Sequence, residues 1–184
     1  MKKKCFVSLI MMLFVVAGIK AQTTDSTSIY QFAIPGANGG SIQFSAWAGK
    51  KILIVNTASL ANNKSQIAKL QTLQQNNVQR LVVVAIPCDD FNNLEPEDSA
   101  SVILQNYQQQ FGVMYPVSIK LHTTGTAIHS LYRFLMEQSL NGRMQGKVKE
   151  NFRKFLVDEE GHLLASFSGS IDPLDAMIQE AIEH

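Results

Sequence analysis

The sequence predicts an α/β fold, a central mixed sheet flanked by helices and preceded by an N-terminal β-hairpin. Three observations predict it. Two continuous aliphatic runs, "KKILIVNTA" and "RLVVVAIPC", have strand length and no polar alternation, the pattern of strands covered on both faces in a parallel sheet. Between them Ile67, Leu70 and Leu73 recur at helical spacing, which makes a βαβ unit with a right-handed crossover. Near the C-terminus "FRKFLVDEEGHLLASFSG" reads as a hairpin turning at Glu160-Gly161, adding antiparallel strands to the parallel pair.

The remaining elements follow in chain order. "MKKKCFVSLIMMLFVVAGIKAQ" joins a lysine-rich start to an apolar run from Phe6 to Gly18 and a small residue at Ala21. This is the pattern of a secretory signal cut after Ala21, and the run is shorter than the ~20 residues of a membrane span. An uncleaved anchor is the alternative. Cys5 precedes the run, where a lipid-modified Cys would follow it. Residues 22–28, "QTTDSTS", form a polar lead, and 29–184 form one domain. "IYQFAI" and "SIQFSAW" flank the turn "PGANGG" and make the N-terminal hairpin. Pro96, with Glu97 and Asp98 behind it, is expected to open a helix running to about Phe111. "YPVSIK" is a short extended piece. "AIHSLYRFLMEQ" is a helix with Ile128, Leu131, Phe134 and Leu135 on one face, and "DPLDAMIQEAIE" a closing helix with Asp172 as N-cap and Pro173 at its first position. The glutamines of "LQTLQQNN" and "QNYQQQ" are expected on solvated helix faces. The order is that of a thioredoxin-like core with an added hairpin.

Composition narrows the chemistry. With the leader go four lysines, so the 16 basic residues fall to 12 against 15 acidic, a net charge of −3 with His neutral. No basic stripe remains for nucleic acid. Cys5 leaves too, and Cys88 is then the one thiol. An internal disulfide and Cys-x-x-Cys redox chemistry are excluded. His122, His162 and His184 have no sequence partners at metal-ligand spacing, and no metal or cofactor is expected.

Four stretches in order resemble the glutathione peroxidases, over Ile29 to about Ile182. "NTASLANNKSQ" is similar to that family's Asn-Val-Ala-Ser-Lys-Cys-Gly-Phe-Thr-Pro-Gln. "IPCDDFNNLEP" is similar to Phe-Pro-Cys-Asn-Gln-Phe-Gly-Gly-Gln-Glu-Pro. "HSLYRFL" is similar to His-Pro-Leu-Tyr-x-Phe-Leu, and "ENFRKFLVDEEG" to Trp-Asn-Phe-x-Lys-Phe-Leu-Val-Asp-x-x-Gly. The resemblance implies a thioredoxin-like fold, peroxide reduction and a place in the oxidative stress response. It puts the family's peroxide-reducing Cys or selenocysteine at Ala61, its Gln donor at Asp90, its Trp donor at Glu150 and its Asn donor at Asn151. Ala61 has no nucleophile, and ionised carboxylates accept hydrogen bonds but donate none. The Gly-Phe after the family's Cys is Asn62-Asn63. The segment that carries a resolving Cys in Cys-dependent members is Tyr107-Gln108. The one Trp, Trp47, lies in the N-terminal hairpin and cannot substitute.

Each candidate has a plain reading beside the functional one. Cys88 reads as a small buried hydrophobe, or as a relocated peroxidatic thiol beside Asp89 and Asp90. Asp90 and Glu150 read as solvated acids, or as an acidic pocket, joined by Glu95 and Asp89, for a cation or basic group. His129 reads as packing and helix support. Two functions are expected from this. One is an exported, periplasmic or extracellular monomer of this family that has lost catalysis and binds a partner or small molecule at the former active-site face, with no cofactor, nucleic acid or membrane. The other is a thiol peroxidase using Cys88, which would need glutathione or thioredoxin as reductant.

Overall fold

The computed structural model describes residues 27–96 and 99–184. The signal, its cleavage point, Cys5, the lead up to residue 26 and the Glu97-Asp98 pair lie outside the described residues. The strands are β1 (Ala33–Pro35), β2 (Ser41–Gln43), β3 (Lys51–Thr57), β4 (Leu81–Pro87), β5 (Lys154–Val157) and β6 (Leu163–Phe167). The helices are α1 (Gln66–Asn76), α2 (Ala100–Phe111), α3 (Ser130–Met136), the single turn α4 (Gln138–Asn141) and α5 (Ala176–Glu183).

The expected mixed sheet is present, in the order β4-β3-β5-β6, beside a separate two-stranded hairpin of β1 and β2. β3 and β4 run parallel, with Lys51 opposite Leu81 and Thr57 opposite Pro87. β5 runs antiparallel to the other edge of β3, and β6 antiparallel to β5. All seven residues of β3 are buried, which explains its lack of alternation. Leu53 and Val55 pack with Ile67, Leu70, Tyr107 and Ile178 of the helices on one face. Ile52 and Ile54 pack with Ile34, Phe44, Leu131 and Phe134 on the other. Each such side chain stabilises the fold by about 1.5–3 kcal/mol through burial. Lys51 reaches this core only with its charge matched by Glu159, 2.9 Å away.

Several boundaries differ from expectation, each for a local reason. The hairpin strands are three residues long. Ile29–Gln31 and Phe44–Trp47 are 3-10 turns instead, the first capped by Ser28, which is buried and not part of a free polar lead. α2 begins at Ala100, not Pro96, with Ser99 in extended geometry as its cap. α3 is shortened because His129 acts as its N-cap, accepting from the Leu131 N–H. The closing helix begins at Ala176 with Asp175 as cap. Asp172 instead caps the preceding turn at the Leu174 N–H and pairs with Lys69. "YPVSIK" makes only isolated bridges, Val117 to Ala85 and Ser118 to Gly36. The glutamines are not all solvated: Gln71 and Gln74 accept from the Met114 and Val83 N–H groups. Among the described residues no helix is long and apolar enough to cross a membrane.

The N-terminal turn is tied to the far hairpin. The Ile29 N–H donates to Gly161 O at 2.8 Å, and the Tyr30 hydroxyl donates to Glu159 O at 2.6 Å. Gly161 has φ +90, and a Cβ there would run into Ser28 Oγ and the Tyr30 ring. Gly161→Ala is therefore expected to lower unfolding free energy by about 1–3 kcal/mol in chemical denaturation. Gly146→Ala, where an added methyl meets nothing within 4 Å, should stay within about 0.5 kcal/mol of the parent.

Candidate functional site

The site is built at the C-terminal end of β3, where the buried strand turns polar. Asn56 donates its side-chain N–H to Glu150 O at 3.0 Å and accepts the Phe152 N–H on its backbone oxygen at 2.7 Å. This double contact holds the 150–152 segment in place. Phe152 has φ 64, a left-handed conformation that costs a bulky residue about 1–3 kcal/mol. Full burial of its ring in the helix-facing core offsets that cost.

Thr57, next along β3, enters a second buried network. The Tyr107 hydroxyl lies 2.9 Å from both Thr57 Oγ1 and Glu95 Oε2. A carboxylate only accepts, so Tyr107 donates to Glu95 and can accept from Thr57. Glu95 also takes the Ser59 N–H at 2.8 Å and the Ser59 hydroxyl at 3.1 Å. Burial raises the Glu95 pKa against the lowering effect of these bonds. The network fixes the turn after β3, and the Leu60 N–H donates to Leu94 O at 2.9 Å beside it. Ala61 is thereby held nearly buried.

A cleft of about 530 Å³ opens over this turn, and Ala61, Asp90, Glu150 and Asn151 all line it. Four positions far apart in sequence are thus brought to one surface, together with Asn62, Asn63, Lys149 and Gly169. Gly169 closes the far wall. Its N–H donates to Glu150 Oε1 at 2.9 Å, and its carbonyl accepts from Gln66 Nε2 at 2.8 Å. Only glycine fits, because a Cβ would overlap Asn151 O. Asn151 is 9% exposed, donates to Phe91 O at 3.4 Å and leaves Oδ1 without a partner.

The expected acidic group is not one cluster. Glu95 is sealed beneath the turn, and Asp89 pairs with Lys120 at 2.9 Å. Asp90 turns its carboxylate into the 122–124 loop. It takes the Thr123 N–H at 2.6 Å, the Thr123 hydroxyl at 2.9 Å, the Thr124 N–H at 3.1 Å and His122 Nδ1 at 2.7 Å. Burial alone would raise the Asp90 pKa, but these bonds outweigh it and lower it. The contact of His122 with Asp90 was not legible in the sequence, because 32 residues separate the two. Asp89, Asp90 and His122 do place three ligand atoms within 4.8 Å of one another, which corrects the expectation that His122 has no partner at metal spacing. The acids of that trio are already engaged by Lys120 and the loop.

Cys88 does not line the cleft. It is fully buried, with Sγ 3.6 Å from Thr123 Oγ1. Burial, with the Asp90 charge adding to it, pushes the thiol up to about 12 despite hydrogen bonds from the Asp90 backbone and Thr123. Tyr107 of the resolving-Cys segment is likewise buried inside α2. Trp47 packs edge-on against Phe44, with centroids 6.0 Å apart, and lines a different groove between the hairpin and residues 114–117.

Residues 29–136 match the family model described as glutathione peroxidase. A glutathione peroxidase homolog BsaA of Staphylococcus epidermidis is 35% identical over 147 residues, covering 79% of this chain and 92% of that protein. The glutathione peroxidase-like peroxiredoxin gpx1 of Schizosaccharomyces pombe is 33% identical over 145 residues, covering 78% of this chain and 90% of its own. Among solved structures, T. cruzi GPX1 superposes with a TM-score of 0.60 at 23% identity, over 85% of this chain and 97% of that one. A thioredoxin family protein of Chlorobium tepidum does so at 0.56 and 18% identity, over 82% and 92%. These two likenesses concern the fold alone.

The His122–Asp90 contact carries a pH signature. The Asp90 hydrogen bond and charge raise the His122 pKa, with Asp89 adding to the shift and desolvation and Lys120 opposing it. A raised histidine stabilises fully below its unfolded value of about 6.5, and the contribution is lost as pH rises through the folded value. The Tm advantage of the parent over His122→Asn should therefore be largest near pH 5.5 and gone by about pH 9. Equal differences at both ends, read by thermal melts, would contradict the pairing.

Proposed function

The chain belongs to the glutathione peroxidase family, and on that premise we propose that it is an exported member that has lost peroxide reduction and uses its former active-site cleft for binding. One observation carries the reading: Ala61 lies in the wall of the cleft, while the one thiol of the domain is buried elsewhere. Peroxide reduction of this family's kind needs a thiolate or selenolate to attack the O–O bond. It also needs donors for that anion and for the departing alkoxide. Ala61 supplies no such anion.

The donor positions support the same reading. Glu150 presents a carboxylate to the cleft, and Asp90 holds its charge in the neighbouring loop. Both would raise the pKa of a thiol placed at residue 61 and meet an alkoxide with acceptors. Asn151 keeps an N–H group, but directs it to Phe91 O. The Cys88 alternative has little to support it. Its thiol pKa of about 12 leaves it protonated at neutral pH, and no peroxide can reach a fully buried sulfur. Export rests on the leader pattern at residues 1–21.

A single assay tests the reading. Hydrogen peroxide and a lipid hydroperoxide are supplied with glutathione or thioredoxin, and consumption is followed for the parent, Cys88→Ala, Ala61→Cys and the triple variant Ala61→Cys, Asp90→Gln, Glu150→Trp. The parent should match Cys88→Ala. The triple variant should exceed Ala61→Cys by about 10²-fold or more, since one such donor contributes ~10²–10³ in rate. Circular dichroism first confirms that each variant is folded. Turnover by the parent that disappears in Cys88→Ala would restore the enzyme reading. Equal rates for the single and triple variants would show that Asp90 and Glu150 do not act on residue 61.

A further inference from the structure

The sequence holds two Asn-Gly pairs, Asn38-Gly39 and Asn141-Gly142, and the fold treats them in opposite ways. In such a pair the glycine nitrogen can attack the asparagine side-chain carbon, because glycine has no Cβ to obstruct the approach. Asn141 is 1% exposed. Its Nδ2 donates to Phe134 O at 2.8 Å and Met144 O at 2.9 Å, and its Oδ1 accepts the Arg143 and Met144 N–H groups at 2.8 and 2.7 Å. The nitrogen that would attack, Gly142 N, is held on Gln138 O at 2.8 Å.

Asn38 is the reverse case. It stands exposed with Gly39 and Gly40 at the tip of the hairpin between β1 and β2. Among the described residues no partner holds its Nδ2. Its Oδ1 accepts the Gly40 N–H at 3.0 Å, a turn that folds the side chain back over the intervening Gly39 peptide. That bond polarises the amide carbonyl and is in place to stabilise its oxygen as charge develops there during attack. Gly39 has φ +83, and nothing lies within 4 Å of where a Cβ would be, so the approach is open. Its N–H is tied to Gly36 O at 3.1 Å across an exposed turn, a bond that opens readily at a loop tip.

We propose that the fold selects Asn38, and not Asn141, for spontaneous deamidation through a cyclic imide with Gly39. Gly39 N gives its proton to solvent base and bonds to Asn38 Cγ. The Cγ–Nδ2 bond breaks, and Nδ2 leaves as ammonia. Water then adds to one imide carbonyl and opens the ring to aspartate or isoaspartate, with no oxidant or reductant involved. The new carboxylate falls on a neutral surface. Asn38 lines two grooves, one with Trp47 and Met114 and the other with Ala100 and Ile119, and no charged residue among those described lines either. Opening to isoaspartate also lengthens the main chain by a methylene, beside the Gly36 N–H to Gly40 O bond that closes the hairpin.

The test incubates the full chain at mildly alkaline pH and follows its tryptic peptides by mass spectrometry. Asn38 is the one asparagine between Lys20 and Lys50, and Asn141 the one between Arg133 and Arg143, so each conversion is read separately. In the folded protein Asn38 should convert about 10²-fold faster than Asn141, whose amide must first give up buried hydrogen bonds. In urea the two rates should become comparable. Asn38→Gln would have to close a larger ring, and in the folded protein it should abolish the acidic band that grows with time on isoelectric focusing. No conversion at Asn38, equal conversion at both sites in the folded chain, an Asn141 that stays inert in urea, or an acidic band undiminished in Asn38→Gln would each overturn the proposal.

Discussion

The polar end of a wholly buried strand is the constraint on which this site depends. β3 is covered on both faces, so the backbone and side-chain groups of Asn56 and Thr57 must find partners inside the protein. Asn56 finds them in the 150–152 segment, and Thr57 in Tyr107 and Glu95. Both walls of the cleft are therefore consequences of satisfying one strand end. The left-handed Phe152 and the glycine at 169 follow from the same packing, since that segment can approach Gly169 only where no Cβ intervenes.

None of these contacts uses residue 61. The turn is pinned at Ser59 by Glu95 and at Leu60 by Leu94, and Ala61 is held through its backbone alone, its N–H on Ala58 O and its carbonyl on the Lys64 N–H. A nucleophile at that position can be absent without disturbing the scaffold, because no described hydrogen bond of the scaffold passes through its side chain. Cys88 is in the reverse situation. It sits under the 122–124 loop in contact with Thr123, where burial makes it a packing residue and keeps its sulfur from the cleft.

The acidic replacements behave differently from one another, although in sequence they look alike. Asp90 is consumed by the neighbouring 122–124 loop, collecting two backbone N–H groups, a hydroxyl and an imidazole. Glu150 has one oxygen engaged and one open. A charge in a motif thus has two fates, to hold a loop or to face a ligand. Donors brought in by neighbouring segments, the 122–124 loop for Asp90 and Gly169 for Glu150, decide between them.

The order and type of the main elements were legible in the sequence, because the aliphatic runs of β3 and β4 and the helical spacing of Ile67, Leu70 and Leu73 reflect burial directly. So was the set Ala61, Asp90, Glu150 and Asn151, which the motifs mark and the cleft gathers. Helix starts were less legible. Pro96 and Asp172 carry start signals, yet the helices begin later, at the caps Ser99 and Asp175, and Asp172 serves a preceding turn. Sequence could not decide which carboxylate oxygen stays open, that His122 meets Asp90, that Glu95 is sealed below the turn, or that Gln71 and Gln74 serve neighbouring backbone. These depend on donors brought from positions remote in the chain. Burial leaves a periodic trace in sequence, whereas a hydrogen-bond partner across the fold leaves none until the chain has closed.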